Sequence, residues 1–356
     1  MIDNSATEDK KNARACHPLT LFSNIQQKGE PLIIVTGGAG FIGSNIVKAL
    51  NEVGEDKILI VDHLGQGEKW KNLIELNFLD YEHKDDFLTM LERGLFDQGV
   101  RAVIHMGACS STTEQDADYL MANNYEYSRS LARRYAGNSG VRFIYASSAA
   151  TYGDGSRGYS DEHKSIPRLR PLNMYGYSKH AFDLWALKTG FIDRAVGLKY
   201  FNVFGPNEYH KGDMRSVAIR AYFQAKTADK VKLFKSYRGD YKDGEQCRDF
   251  IYVKDAVNVT LFFLEKSEAN GIFNVGTGIP RNFNDLASAA FSALGKSRNV
   301  EYIDMPNGLE KRYQYYTCAQ TDKLRAAGFT EQFHTLEEGV RDYIVNHLER
   351  DPRWEV

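Results

Sequence analysis

The sequence predicts an α/β fold: a Rossmann-type, doubly wound parallel sheet with a smaller, discontinuous C-terminal lobe. Three observations support this fold class. A short apolar run, Leu32 to Val35, leads into glycines at positions 37, 40 and 43. A second apolar run ends at Asp62, 19 residues after the last of these glycines. Strand-like and helix-like stretches then alternate, as is typical of parallel sheets covered by helices on both faces.

The glycine-rich turn predicts a dinucleotide site. Gly37 allows a tight turn, Gly40 lets the backbone approach a pyrophosphate, and Gly43 lets the next helix pack against the strand. Free N–H groups at the start of that helix would face the phosphates. Asp62 stands at the spacing of an acid that contacts the adenosine ribose.

The alternation continues beyond this first unit. Strand-like stretches cover 100–105, 141–146 and 196–201, and helix-like stretches cover 114–135 and 175–188. Ligands of such sheets bind at the carboxyl ends of the strands. After Gly205-Pro206 the pattern weakens, and the remaining helix-like stretches are 216–227 and 335–348.

The chain is therefore divided into three parts. Residues 1–30 are polar and aperiodic and are predicted to form a flexible extension. Residues 31–203 plus 249–278 are predicted to form the nucleotide-binding domain. Residues 204–248 plus 279–356 are predicted to form the substrate-binding lobe.

Composition argues against several classes of protein. The net charge of −2 gives no reason to expect nucleic acid or an acidic membrane as a partner. No apolar run approaches the ~20 residues of a membrane span, and the N-terminal stretch lacks the apolar core of a secretory signal. The four cysteines, at positions 16, 109, 247 and 318, have no CxxC spacing. They are interpreted as free thiols in a reducing cytoplasm, and no metal site is predicted.

Tyr175 and Lys179 are the first candidate catalytic pair. They lie four residues apart and would share one face of the predicted helix. A tyrosine with its ordinary pKa near ~10 is a poor base at neutral pH, and a lysine ammonium one turn away is expected to lower that pKa. Oxidation of a hydroxyl by nicotinamide needs such a base. Ser148, at the end of a predicted strand, can hydrogen-bond the reacting oxygen.

These residues also carry a resemblance to a known family. From about residue 32 to its C-terminus the chain resembles the extended short-chain dehydrogenases that modify nucleotide sugars. The segments concerned are Thr36–Gly43, Ser147-Ser148, Tyr175 with Lys179, 201–206 and 248–255. Within that family the chain is most similar to the ADP-glyceromanno-heptose 6-epimerases, in segments 105–114, 123–125, 147–153, 210–212 and 312–314.

The resemblance implies an isomerase with one tightly bound NADP per subunit, and NAD is the runner-up. Such enzymes oxidise carbon six of an ADP-heptose, present the other face of the carbonyl, and return the hydride without net redox change. The product is a precursor of the lipopolysaccharide inner core. Inversion needs proton transfer on two faces, and the second base of these enzymes falls on Lys211. Tyr175, Ser148 and Lys179 complete the implied catalytic set.

The resemblance also implies binding residues and partners. The implied cofactor contacts are Gly37, Gly40, Phe41, Ile42, Gly43, Asp62, His63, Lys69, Lys84, Met106, Gly107, Ala108, Cys109, Ser110, Asn123, Lys179 and Val203. The implied nucleotide-sugar contacts are Asn202, Asp213, Arg220, Phe234, Lys235, Ser236, Tyr237, Arg248 and Tyr313. The planar fork of Arg248 suits a diphosphate. A homo-oligomer, a pentamer by resemblance, is expected.

The chain departs from that family pattern at several places. Relatives commonly carry Ser where this chain has Asp213, and His where it has Arg220. The region around residues 243–245 is longer than usual, and residues 1–30 are additional. These departures bear on the choice of substrate rather than on the type of reaction.

Two other functions stay open. A UDP-hexose 4-epimerase shares the glycine turn and the tyrosine–lysine pair, but does not need Lys211. A non-catalytic dinucleotide-sensing protein would not need the intact Ser148, Tyr175 and Lys179. Nucleotide-sugar 4,6-dehydratases typically carry an Asp-Glu pair where this chain has Ala149-Ala150.

Overall fold

The computed structural model describes residues 31–135, 140–310 and 313–350. The predicted N-terminal extension and Arg312 lie outside these ranges. Within them the strands are β1 (Leu32–Thr36), β2 (Ile58–Asp62), β3 (Asp80–His83), β4 (Val100–His105), β5 (Arg142–Ser148), β6 (Ala195–Tyr200), β7 (Asn202–Phe204), β8 (Val231–Phe234), β9 (Cys247–Arg248), β10 (Phe250–Tyr252), β11 (Gly271–Val275), β12 (Arg281–Asn282) and β13 (Val300–Ile303).

The helices of the described residues alternate with these strands. They are α1 (Phe41–Glu52), α2 (Lys84–Glu92), α3 (Ala117–Leu120), α4 (Tyr127–Tyr135), α5 (Met174–Lys188), α6 (Val217–Ala228), α7 (Val253–Glu265), α8 (Phe283–Ala293), α9 (Asp322–Ala326) and α10 (Leu336–Asp342). None of them combines the length and apolarity needed to cross a bilayer.

One parallel sheet forms the main layer and confirms the predicted fold class. Its strand order within the described residues is β11-β6-β5-β4-β1-β2-β3. β1 pairs with β2 on one side and β4 on the other, so the direction of winding reverses there. All residues of β1 and β2 are buried, as expected for strands covered on both faces. Ligands bind at this reversal in doubly wound folds.

The glycine turn stands at the reversal point. Gly37 has φ +69°, and a Cβ added there would lie 2.6 Å from the backbone nitrogen of Gly107. A Cβ on Gly43 would lie 2.1 Å from the Gly37 carbonyl oxygen. Side chains at these two positions would collide with backbone, so the tight turn and close helix packing expected of these glycines are confirmed.

The smaller lobe is built on α6, α8 and short two-stranded pairs. β8 pairs with β13, and β7 with β10, in parallel, whereas β9 and β12 are antiparallel. One cluster of buried apolar side chains extends from β1 through α7 to α6, α8 and α10. The lobe therefore packs on the same core as the sheet.

Two predicted helices differ from the observed ones. The stretch predicted over 114–135 begins at Ala117, because the carboxylate of Asp116 caps it by accepting from the Tyr119 nitrogen at 2.9 Å. Its middle, Met121–Glu126, is a π-helix between α3 and α4. The C-terminal helix starts at a capping box of Thr335 and Glu338, and also becomes a π-helix, over Tyr343–Leu348.

Candidate active site

Asp62, at the end of β2, is held against the glycine turn. Its Oδ2 accepts from the Ala39 nitrogen at 2.9 Å, and its Oδ1 accepts from the His63 nitrogen at 2.7 Å. The Lys69 amine donates to the same Oδ1 at 2.5 Å. Both carboxylate oxygens are therefore occupied, and a cationic side chain lies where the adenosine end of a dinucleotide is expected.

Two hollows meet at the glycine turn. The smaller, of about 100 Å³, is lined by Asp62, His63, Lys69, Lys84 and Asn123, among others. The larger, of about 370 Å³, is called the cofactor hollow. Its lining includes Gly37, Gly40, Phe41, Ile42, Gly43, Met106, Gly107, Ala108, Cys109, Ser110, Ala146, Lys211 and Met214. The predicted cofactor residues Val203 and Lys179 line neither hollow.

A buried chain of hydrogen bonds supports the loop after β4. His105 bridges the Thr36 hydroxyl at 2.6 Å and the Ser128 hydroxyl at 2.8 Å. Ser128 donates to the Asn124 carbonyl, so the network assigns the His105 proton to Nε2. Thr36 in turn accepts from the Gly107 nitrogen at 3.2 Å. Burial lowers the pKa of His105 to about 3, which keeps this imidazole neutral.

Asn124 connects the loop over the cofactor hollow to α5, the predicted catalytic helix. Its Oδ1 accepts from the Cys109 nitrogen at 2.8 Å, and its Nδ2 donates to the Cys109 carbonyl at 3.0 Å. Nδ2 also donates to Ser178 at 3.0 Å, and Ser178 donates to the Tyr175 carbonyl at 2.7 Å. Sequence reasoning assigned a cofactor contact to the neighbouring Asn123 and missed this role, although Asn124 lies in the same quoted segment.

Helix α5 is capped by Asn173, whose side chain accepts from the Gly176 nitrogen at 2.8 Å. This cap places Tyr175 in the first turn and Lys179 one turn later. The Lys179 amine donates to the Ala146 carbonyl at 2.9 Å, and burial lowers the pKa of Lys179 to about 8. Ala146 lines the cofactor hollow, so the Lys179 amine is bonded to the backbone of a residue in the wall of that hollow.

One electrostatic prediction for this helix is wrong. Burial raises the pKa of Tyr175 above its ordinary value, and a hydrogen bond with Ser148 opposes that rise. Lys179 is not among the groups that lower the pKa of Tyr175, and its amine donates to the Ala146 carbonyl instead. The structure therefore pairs Tyr175 with Ser148 more directly than with Lys179.

A buried ion pair lies beneath these residues. The Lys199 amine is 2.5 Å from Oδ2 of Asp183, and neither side chain is exposed. Asp183 also accepts from Ser147 at 2.8 Å and from Tyr145 at 3.0 Å. Asp183 lies one turn after Lys179, so the pair ties the catalytic helix to the ends of β5 and β6. Sequence reasoning did not identify it.

The predicted second base lies on a loop between the sheet and the lobe. Residues 205–216, called the Lys211 loop, include a short 3₁₀ segment over Tyr209–Met214. The Lys211 amine lies 5.4 Å from the centre of the Phe41 ring, and burial lowers the pKa of Lys211. Of the predicted catalytic residues, Lys211 lines the cofactor hollow, whereas Tyr175, Ser148 and Lys179 do not.

Some predicted substrate residues come together in the lobe. Arg220, Phe234 and Tyr313 line an apolar hollow of about 230 Å³. The buried Arg248 guanidinium lies 5.2 Å from the centre of the Tyr313 ring. The Arg220 guanidinium donates to the backbone carbonyl of Asp213 rather than to its carboxylate.

Other predicted substrate residues lie outside that hollow. The Lys235 amine pairs with Asp304 at 3.2 Å, and the Tyr237 hydroxyl donates to the same carboxylate. The Ser236 nitrogen donates to Asp243 at 2.7 Å. Asn202 accepts from the Thr317 hydroxyl at 3.3 Å. Phe234 is therefore the residue of the 234–237 segment that lines the hollow.

The fold and the glycine turn define a dinucleotide-binding protein, in which the Lys179 amine donates to the carbonyl of Ala146, a residue that lines the cofactor hollow. The chain belongs to the NAD dependent epimerase/dehydratase family, whose model matches residues 33–276. A nicotinamide dinucleotide is therefore its cofactor class.

Three individual proteins are similar to this chain in sequence or in structure. A protein of Nitratidesulfovibrio vulgaris named ADP-L-glycero-D-manno-heptose-6-epimerase is 54% identical, over 89% of this chain and 98% of that protein. The crystal structure of the Helicobacter pylori enzyme of that name has a TM-score of 0.75 and 27% identity, covering 91% of this chain and 97% of that one. A UDP-N-acetylglucosamine 4-epimerase of Methanobrevibacter ruminantium has a TM-score of 0.76 and 26% identity, covering 90% and 99%. Backbone similarity therefore does not separate the two kinds of epimerase.

Proposed function

We propose that this chain epimerises ADP-D-glycero-β-D-manno-heptose to ADP-L-glycero-β-D-manno-heptose. The observation that carries the proposal is the partly buried Lys211 at the cofactor hollow, in addition to the Ser148–Tyr175 group. Two separate proton carriers suit a reaction that inverts carbon six. High identity to the Nitratidesulfovibrio relative along nearly its whole length supports the same substrate.

The residues present fit a nicotinamide dinucleotide. Gly37, Gly40 and Gly43 line the cofactor hollow, and in the described structure no side chain caps the start of α1 at Gly40. The amide N–H groups there are thus available to a pyrophosphate. The bound group would supply hydride acceptance and return.

The remaining steps belong to the side chains of this chain. Ser148 holds the reacting oxygen, and Tyr175 takes up or returns its proton on one face. Lys211 carries the proton for the other epimer from the opposite face. Lys179 stays bonded to the Ala146 carbonyl, and its positive charge would help to hold the bound dinucleotide. Arg248 and Arg220 hold the diphosphate, and Phe234 and Tyr313 hold the adenine end.

NADP is the proposed cofactor, and NAD is the runner-up. Asp62 has both oxygens occupied, which leaves little acceptor capacity for a ribose 2′-hydroxyl. Lys69, Lys84 and His63 line the same hollow and suit a 2′-phosphate. Mass spectrometry of the cofactor released on denaturation tests this. Mostly NADP is expected, and mostly NAD would contradict the assignment.

The substrate is tested with the purified protein and product NMR. ADP-D-glycero-D-manno-heptose should be converted to its carbon-six epimer, whereas UDP-glucose and UDP-N-acetylglucosamine should be returned unchanged. Conversion of a UDP-hexose alone would establish the 4-epimerase function instead. Binding of cofactor without any turnover would indicate a sensing protein.

The proposal also covers the number of subunits and the cell compartment in which the enzyme works. The enzyme is proposed to work in the cytoplasm as a homo-oligomer, with a pentamer expected from its family. Native mass spectrometry of the holoenzyme measures the number of subunits, and a monomer would contradict the expectation.

A further inference from the structure

Glu208 is a buried carboxylate within the Lys211 loop, and the proposed mechanism does not use it. Its side chain is only 1% exposed. Oε1 accepts from the Gly205 nitrogen at 3.3 Å and from the Ser216 hydroxyl at 2.7 Å, and Oε2 accepts from the Ser216 nitrogen at 2.5 Å. These three donors favour the ionised carboxylate, which can only accept hydrogen bonds.

The hydrogen bonds join the two ends of the loop. Gly205 stands at its start and Ser216 at its end, where Ser216 also caps α6. The start of the loop is separately fixed to the glycine-turn side, because Asn45 donates to the Pro206 carbonyl and Asn72 donates to the Asn207 carbonyl. The Glu208 side chain therefore connects the fixed start of the loop to its end. The backbone nitrogen of Lys211 also donates to the backbone carbonyl of Glu208 at 3.1 Å.

The charge of Glu208 also acts on Lys211. Burial lowers the pKa of Lys211, and Glu208 is the group that opposes this change. Burial raises the pKa of Glu208, and Lys211 opposes that rise. The other titratable groups near the pair are Tyr343, which faces Glu208 from the C-terminal π-helix, and His210, which faces Lys211, Lys69 and Asp62.

We propose that Glu208 is a positioning residue for Lys211: its buried carboxylate closes the loop that carries the amine and places a negative charge within that loop. This inference rests on the proposed function, in which Lys211 is the second proton carrier. It assigns a role in the reaction to a residue that need not contact the substrate.

Titration of Lys211 tests the inference directly. Holoenzyme labelled with ¹³Cε-lysine is titrated by NMR, and the Lys211 signal is identified by its loss in Lys211→Met. Glu208→Gln should lower the Lys211 midpoint by roughly one pH unit, the scale for loss of a nearby opposite charge. Glu208→Asp retains the charge and should keep the midpoint near that of the parent. A Glu208→Gln midpoint equal to the parent's overturns the inference.

Ser216→Ala is the matched control. It removes one hydrogen bond to the same carboxylate but leaves its charge, so it should slow turnover without moving the Lys211 midpoint. A midpoint shift as large as that of Glu208→Gln would mean that loop disorder, not charge, controls Lys211, and would contradict the inference.

A reciprocal titration covers the case in which Glu208→Gln does not fold. Coupling between two sites is equal in both directions, so Lys211→Met should raise the Glu208 midpoint by a similar amount in ¹³Cδ-glutamate holoenzyme. The Glu208 signal is identified by its change in Glu208→Asp, and an unmoved midpoint overturns the inference. Full epimerase activity of Lys211→Met would separately reject Lys211 as the second proton carrier, since the titrations do not depend on turnover.

Discussion

The two predicted proton carriers, Tyr175 and Lys211, lie on very different structural elements. Tyr175 lies in the first turn of a 15-residue helix that Asn124 and the Asp183–Lys199 pair fix to the sheet. Lys211 lies in a short 3₁₀ segment of a loop whose ends are joined by one carboxylate, and Gly212 beside it has φ 52°. One predicted carrier thus lies on a helix packed against the sheet, and the other lies in the connection between sheet and lobe. In the proposed mechanism, the base on that connection acts on the face of the substrate opposite the helix.

The largest effect is expected on the helix side. Tyr175→Phe removes the proton-carrying oxygen and keeps the packing of the ring, so turnover should fall by about 10²–10⁴. Bound cofactor should remain, because the Phe41 side of the hollow is unchanged. Tyr177→Phe, at an exposed tyrosine of the same helix, is the control and should retain activity. Near-full activity of Tyr175→Phe would exclude Tyr175 as the catalytic residue.

A large effect on stability is expected from the ion pair below that helix. Asp183→Asn leaves the Lys199 ammonium buried without its carboxylate, and should lower the free energy of unfolding by about 3–5 kcal/mol in urea denaturation. Asp56→Asn, at an exposed pair with Lys57, should change it by less than about 0.5 kcal/mol. Equal stabilities of the two variants would show that the pair does not hold α5 to the sheet.

These two regions also differ in how far the sequence predicts them. The helix around Tyr175 and β4 were predicted nearly to the residue, because apolar periodicity and local capping determine such elements. The Asp183–Lys199 pair and the Asn124 bridge depend on contacts between distant segments, which no local pattern records. The predicted direction of the Tyr175 pKa shift was wrong for the same reason: the Lys179 amine bonds to the Ala146 carbonyl on β5, a segment distant in sequence.

The smallest effect is expected near the loop side, at Asp213. Its carboxylate is on an exposed residue, and Arg220 contacts its backbone carbonyl instead. Asp213→Ser should be tolerated, and its Michaelis constant for the ADP-heptose should stay equal or fall, because a negative charge near the diphosphate is removed. Steady-state kinetics measures this. A large loss of turnover would instead give Asp213 a positive role.

The central claim is that epimerisation uses two proton carriers, one on helix α5 and one on the Lys211 loop. Lys211→Met tests this claim most directly. This change keeps the side-chain stem and removes the amine. Turnover of ADP-heptose should fall on the order of 10² or more, with folding and cofactor occupancy unchanged, while Lys188→Met at the exposed end of α5 should retain activity. Epimerisation by Lys211→Met within about threefold of the parent, under ~1 kcal/mol of barrier, would contradict the two-carrier account.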